Sequence, residues 1–334
     1  MTLIAWEPVG KRIDEAARAG RGVVLSTHVN PDGDGLGSEL GLWHDLKRRG
    51  VTARILNNDP IHRKYAFLPG SEHIEVYDEA AHGAFVRDAA LFFVLDNSAP
   101  ERLGRLLEPA RSGRAVKVCI DHHVTTDPFW DVNCIDTDAP ASGQLIYQMI
   151  KALGGRITPE IALPLYVAYV MDTGHFRFSK TTADVHRIIG ELMDTGAIDP
   201  PRVYRALFEG VSPGLNRLVA AALADTHYEY GGRFAWARLT CAQLETNAAV
   251  EEDTGDLVNM LLSVEGVVAA ALIKEVAPER MKVSLRSLGD VDVHALAASL
   301  GGGGHRNASG VTLSLPLDEG VRRIVTGMKK VVGA

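Results

Sequence analysis

The densest chemistry in the chain lies in His28-Val-Asn-Pro-Asp32-Gly-Asp34-Gly-Leu-Gly37-Ser38, where one imidazole and two carboxylates fall within seven residues of a glycine-rich turn. Asp-Gly-Asp alone would serve a plain turn in which Asp caps the following helix and Gly eases the bend. His28, placed directly after an apolar strand, asks for more. Carboxylates combined with imidazole suit a hard or borderline divalent cation such as Mn²⁺, Mg²⁺ or Zn²⁺, whereas a structural zinc site would bring cysteines. Asp96 closes a second apolar run, and Asp121-His122-His123 closes a third. Asp172-Thr-Gly174-His175 ends an apolar helix, where the negative end of the helix dipole disfavours a carboxylate unless a cation compensates it. His28, Asp32, Asp34, Asp96, His122 and Asp172 make six donors, more than one ion needs. Two ions about 3.5 to 4 Å apart, sharing one carboxylate, would use them all and would form a clamp suited to a phosphoester.

The elements that must position these donors are legible as βα units. Residues 22–27, 90–95 and 115–120 are short β-branched or aromatic runs, and each delivers His or Asp at its end. Amphipathic helices are expected at residues 35–49, 141–153, 159–171 and 182–195, with Gly50, Gly154 and Gly196 as stops and Thr158-Pro159 as a start. Alternation of this kind predicts an α/β fold with a largely parallel sheet, in which ligands collect at the carboxyl ends of the strands. The character changes between Asp199-Pro-Pro201 and Ser212-Pro-Gly214. A catalytic domain is therefore expected over residues 1–198, a linker over 199–214, and a smaller α+β domain over 215–334.

In that second domain the strand Met281-Lys-Val-Ser-Leu-Arg286 alternates, so that Met281, Val283 and Leu285 face a core and Arg286 faces outward, toward a ligand or solvent. Gly301, Gly302, Gly303 and Gly304 run into His305-Arg306 and then a strand. They read as backbone brought close to a phosphate or base, where any Cβ would obstruct. The remaining histidines His62, His73, His82, His186, His227 and His294 lack ligand spacing and read as surface or satisfied side chains; Trp43 and Phe92 read as core.

The chain has 334 residues, 46% of them apolar and 23% charged, the composition of an ordinary folded protein of about two domains. Thirty-five basic against 42 acidic residues give a net charge of −7, without the broad cationic face that long duplex nucleic acid requires. Small or short anionic substrates remain compatible with it. Cys119, Cys134 and Cys241 cannot all pair with one another and show no C-x-x-C spacing. With no apolar stretch of about 20 residues and no basic-apolar leader, a cytoplasmic protein without membrane association is expected.

In order and spacing, His28-x-x-Pro-Asp32-x-Asp34, Asp96, Asp121-His122-His123 and Asp172-Thr-Gly174 resemble the four motifs of the DHH phosphoesterase family. Ser284-Leu-Arg286-Ser287 and Gly301-Gly-Gly-Gly-His305-Arg-Asn-Ala308-Ser-Gly310 resemble that family's associated substrate-binding domain, and the likeness spans residues 10–330. The two-domain layout is similar to bacterial nanoRNases, oligoribonucleases that also act on 3′-phosphoadenosine 5′-phosphate. The resemblance implies that His28, Asp32 and Asp96 hold one Mn²⁺ and that Asp34, Asp96, His122 and Asp172 hold a second, with Asp96 as the bridge and Mg²⁺ or another divalent ion as a substitute. It implies that His123 faces the scissile phosphate, that Asp121 orients the imidazoles, and that Arg286, the four glycines and His305 bind the far end of the substrate. Gln144 departs from the family's usual Glu at a non-ligand position, and Ser309 replaces its usual Ala. The expected substrates are short single-stranded RNA and dinucleotides held in a cleft between the domains, and a homodimer is among the expected assemblies. A hydrolase of cyclic or linear dinucleotides would use the same residues. A nucleotide-binding regulator without catalysis would be expected to have lost ligands, and all six are present.

Overall fold

The computed structural model describes residues 4–123, 127–249 and 254–333, with the backbone but not the side chain of His305. The chain divides into two compact units, Met1–Glu209 and Gly210–Ala334.

The first unit is built on strands β1 (Val23–Ser26), β2 (Ala53–Asn57), β3 (Ile74–Val76), β4 (Leu91–Leu95), β5 (Val116–Asp121) and β6 (Val132–Ile135), interleaved with helices α1 (Glu7–Arg18), α2 (Gly33–Arg48), α3 (Glu79–Asp88) and α4 (Leu107–Ser112). Helices α5 (Ser142–Ala152), α6 (Pro159–Asp172), α7 (Ala183–Met193) and α8 (Pro200–Phe208) follow. Every strand pair is parallel, in the order β3-β2-β1-β4-β5-β6. Strands β1 and β4 are buried along their whole length, because helices cover both faces of the sheet. That explains their continuous rather than alternating apolar runs. Leu25 and Phe93 pack with α1, α2, α5 and α6 on one face; Val24, Phe92 and Cys119 pack with α3, α4 and Trp130 on the other.

Strand order reverses direction between β1 and β4, and in a doubly wound sheet that switch opens a crevice at the carboxyl ends of the two strands. His28 and Asp96 leave the sheet at this crevice. Helix α2 starts here too, its first turn closed by Asp32, whose Oδ1 accepts from the N–H groups of Asp34 and Gly35. Helices α2 and α6 approach so closely that a Cβ on Gly37 would stand 2.4 Å from the Pro164 carbonyl oxygen. This brings Asp172, the last residue of α6, toward the start of α2.

The second unit holds α9 (Pro213–Ala224), β7 (His227–Glu229), β8 (Phe234–Leu239), α10 (Cys241–Thr246), α11 (Leu257–Leu262), β9 (Ala269–Ala277), β10 (Arg280–Ser287), α12 (His294–Ser299), β11 (Gly303–His305), β12 (Ala308–Leu313) and α13 (Leu317–Val331). Its sheet runs β11-β12-β10-β9-β8-β7, antiparallel except for the β8–β9 pair.

Two expectations change. Residues 199–209 belong to the first unit rather than to a linker, since Val203 and Leu207 of α8 bury their side chains in its core. The glycine run is not all loop: Gly303–His305 pairs with β12 as an edge strand. A Cβ on Gly302 would lie 2.2 Å from the Gly310 carbonyl oxygen and one on Gly304 2.5 Å from that of Ala308, while Gly301 and Gly304 have φ of +84° and +128°. Close packing and left-handed backbone therefore account for three of the four glycines. An added Cβ would meet open space at Gly301 and Gly303, and of these two only Gly303 lacks the left-handed backbone that favours glycine.

Candidate metal centre

Asp96 leaves β4 with φ of +57°, a left-handed conformation that Asp tolerates better than most residues, while its N–H continues the ladder to Ile120 O at 3.0 Å. The turn sets the carboxylate between two imidazoles. Its Oδ2 lies 3.6 Å from His28 Nε2, and its Oδ1 lies 3.5 Å from His122 Nε2. His28 Nε2 is also 3.7 Å from Asp32 Oδ2. On the other side His122 Nε2 is 3.0 Å from Asp172 Oδ2 and 3.6 Å from Asp34 Oδ2. Two groups of donor atoms, His28/Asp32/Asp96 and Asp34/His122/Asp172, each lie within 4.8 Å of one another.

The ring orientations suit metal ligation. His28 Nδ1 is 2.7 Å from Val29 O and His122 Nδ1 is 3.1 Å from Ala139 O. With Nδ1–H donating to these carbonyls, each Nε2 turns toward the carboxylates with its lone pair. Among the described residues, no Lys or Arg lies within ion-pairing distance of Asp32, Asp34, Asp96 or Asp172; the basic side chains at that distance are imidazoles. Four carboxylates gathered in a mostly buried crevice repel one another unless cations compensate, so the donor set fits divalent ions bound by O and N ligands.

Electrostatics of the side chains alone express the same tension. Burial acts to pull the His28 imidazole down, but the neighbouring Asp32 and Asp96 carboxylates lift it to about 10. Burial acts to raise Asp96, and is overcome by His122 and His28, which hold its carboxyl well below the usual range. Burial, with the charges of Asp96 and Asp172, pushes Asp34 well above it.

Asp34 is held by the start of α5: Ser142 N–H donates to Oδ2 at 2.6 Å and Gly143 N–H to Oδ1 at 2.9 Å. Ser142 Oγ donates to Asp96 Oδ1 at 3.1 Å. Helix α5 thus presents its positive end to two of the carboxylates. Of the two adjacent imidazoles, only that of His123 rests on Asp121, with Nδ1 2.7 Å from Oδ1; the His122 ring rests on Ala139 O instead. Asp121 Oδ1 also accepts from both backbone N–H groups. The expectation that Asp121 orients both rings therefore changes to one ring, since the chain turns between His122 and His123.

Residues outside the expected set also build the site. Ser142, Gly143 and Ala139 do so as described, and the only trace of them in the sequence is the opening of a helix after Pro140. Lys180 donates to the same Ala139 carbonyl at 3.2 Å, and burial holds its ammonium below the usual range. Gln144 accepts from the Tyr169 hydroxyl at 3.3 Å, tying α5 to α6. In the second unit, Met281, Val283 and Leu285 are buried and Arg286 is half-buried on the opposite face of β10, its Nη1 donating to Leu285 O at 3.0 Å. The His305 side chain lies outside the described residues.

The model of the DHH family N-terminal domain matches residues 22–169, and that of the DHHA1 domain matches residues 238–333. The chain is 33% identical over 328 residues to a Thermus thermophilus protein named bifunctional oligoribonuclease and PAP phosphatase NrnA, covering 97% of this chain and 94% of that one. A Bacillus subtilis protein of the same name is 27% identical, covering 87% and 89%. The crystal structure of an exopolyphosphatase-related protein from Bacteroides fragilis superposes with a TM-score of 0.92 at 26% identity, covering 100% of this chain and 98% of that one. Exonuclease RecJ, solved bound to manganese, shares the fold at a TM-score of 0.54 and 14% identity, covering 100% and 95%. The protein belongs to the DHH phosphoesterase family, with a DHHA1 domain as its C-terminal part.

Proposed function

We propose that the protein is a manganese-dependent phosphoesterase that hydrolyses short oligoribonucleotides and dinucleotides to mononucleotides, and 3′-phosphoadenosine 5′-phosphate to AMP. The observation that carries this reading is the Asp96 carboxylate, with one oxygen toward His28 and the other toward His122. In this reading His28, Asp32 and Asp96 hold one ion, and Asp34, Asp96, His122 and Asp172 hold the other. Divalent cations bound there supply polarisation of the phosphate and a lowered pKa for water, so no separate strong base is needed.

The protein's own part is orientation and hydrogen bonding. Two N–H groups at the start of α5 fix Asp34, the Ala139 carbonyl fixes His122, and Ser142 Oγ fixes one oxygen of Asp96. His123 is anchored through Nδ1 to Asp121, and in this reading its Nε2 meets the substrate. Protonated there, the ring donates to a phosphate oxygen or to the departing ribose oxygen, while the Asp121 carboxylate stabilises the imidazolium. Arg286, Gly301, Gly302, Gly303, Gly304 and His305 bind the distal nucleotide. Supporting this are the outward face on which Arg286 stands and the open space beside Gly303. The names of the Thermus and Bacillus relatives support the substrate class.

The test is a panel of dinucleotides, short RNAs, cyclic dinucleotides and 3′-phosphoadenosine 5′-phosphate, assayed after exhaustive chelation and after return of Mn²⁺. Linear dinucleotides and the bisphosphate should turn over only with the metal. Full turnover by chelated protein, or turnover of cyclic dinucleotides alone, would overturn the reading.

A further inference from the structure

Glu39 is a carboxylate that the reaction above does not use, yet it lies fully buried on α2, one turn beyond Gly35. Its neighbours on the helix are buried leucines, Leu36, Leu40, Leu42 and Leu46. Packing alone would be served at lower cost by another of them, because an acid withdrawn from water without a cationic partner is expensive to keep. Burial, only partly offset by a hydrogen bond from Asn57, lifts its carboxyl to about 8. One of its oxygens, Oε1, has no hydrogen-bond partner among the described residues.

The other oxygen is engaged in a chain of contacts that ends at the candidate metal centre. Asn57 Nδ2 donates to Glu39 Oε2 at 2.9 Å, and Asn57 Oδ1 accepts from the Thr27 N–H at 3.2 Å. Asn57 is the last residue of β2, and its side chain takes the N–H of Thr27 just where the β1–β2 ladder ends. Thr27 is the residue that leads into His28. It also lies directly against α2, since a Cβ on Gly35 would stand 2.4 Å from its Oγ1. Glu39 and Asn57 thus tie the strand end that carries His28 to the helix whose first turn carries Asp32 and Asp34.

We infer that Glu39 is a positioning residue of the metal centre, setting through Asn57 the place of the Thr27–His28 backbone relative to the start of α2. This rests on the reading that His28, Asp32 and Asp34 bind the ions. A site whose ligands come from a strand end and a helix start depends on the contacts that hold the two in register; loss of a group bonded to a ligand itself costs about 10- to 100-fold in metal affinity, and a contact one step further out is expected at the lower end of that range.

The experiment is titration of the metal-free full-length protein with Mn²⁺ in the absence of substrate, with free Mn²⁺ followed by electron paramagnetic resonance. Glu39→Leu should weaken binding of at least one ion by about tenfold or more while its near-ultraviolet circular dichroism matches the parent's. Glu39→Gln keeps an acceptor oxygen for Asn57 and should bind within about threefold of the parent. Parental affinity in a folded Glu39→Leu protein would overturn the inference. So would a Glu39→Gln protein as weak as Glu39→Leu, because charge and not the hydrogen bond would then be what matters. If Glu39→Leu does not fold, Glu39→Asp makes the same comparison, as it keeps the carboxylate and withdraws it from Asn57. Failure of the parent itself to bind Mn²⁺ would instead refute the metal assignment.

Discussion

Replacing Glu39 by glutamine should stabilise the metal-free protein, by an amount that grows with pH. In the folded state burial raises this carboxyl from 4.5 to about 8, against the opposing pull of Asn57 and His28 and with a further push from Asp96. Below about pH 4.5 the acid is protonated in both folded and unfolded chains and carries no penalty. Between about 4.5 and 8 the folded chain keeps the proton and the unfolded chain has released it, so folding takes up a proton and parental stability falls as pH rises. Above about 8 the penalty is complete. At about 1.4 kcal/mol per pH unit the full rise corresponds to roughly 5 kcal/mol, and to about 3 kcal/mol at pH 7, both upper figures for a site that relaxes. Glutamine carries no titrating proton and escapes the penalty while keeping an oxygen for Asn57. Urea unfolding of the chelated parent and variant from pH 4 to 9, followed through Trp6, Trp43 and Trp130 of the first unit, measures the difference directly. A difference that stays flat between pH 5 and 8, or that favours the parent increasingly at high pH, would refute the argument.

Asp96→Asn should lose both ions to elemental analysis, whereas His28→Ala should lose mainly one; two retained ions in a folded Asp96→Asn protein would remove Asp96 from the bridging role. Ser142→Ala deletes one hydrogen bond to the Asp96 carboxylate and leaves the backbone contacts to Asp34, so a charge-assisted bond of about 1.5 to 3 kcal/mol predicts a loss of roughly one to two orders of magnitude in kcat/KM. A fall of less than twofold would show that Asp96 is held without it. Arg286→Ala should raise KM for dinucleotides by a similar factor and spare hydrolysis of a nitrophenyl phosphodiester, and equal damage to both would move Arg286 into the catalytic centre. With a net charge of −7, rates should fall as RNA lengthens from two to many nucleotides, which gel analysis of a length series would show; equal degradation of long strands would contradict it.

Much of the fold was legible because local rules and global packing agree. Three apolar runs became β1, β4 and β5, and the proline and glycine punctuation placed α5 and α6 within about a residue of their expected ends. Alternation in β10 separated Arg286 from the core as its pattern required. The glycine run was only half legible: an edge strand with a close neighbour needs glycine as much as a phosphate-binding loop does, and one chain of letters cannot tell backbone packed on backbone from backbone packed on ligand. The extent of the first unit was misjudged for a related reason. Prolines mark where α8 begins, but whether Val203 and Leu207 find a core depends on what folds beneath them.

At the candidate metal centre the division is sharper. Residue type and position sufficed to nominate His28, Asp32, Asp34, Asp96 and His122 after strands and Asp172 at the end of a helix, since carboxylates and imidazoles at such ends have no packing purpose. Tertiary structure alone decided what holds them. Asp34 is fixed by N–H groups 108 and 109 positions away, His122 by a carbonyl 17 positions away, and the His28 turn by Asn57 and Glu39. Backbone groups carry no residue signature, and a buried glutamate in a helix looks in sequence like any exposed one. Only the reversal of strand order between β1 and β4, which puts distant strand ends beside one crevice, makes partners of them.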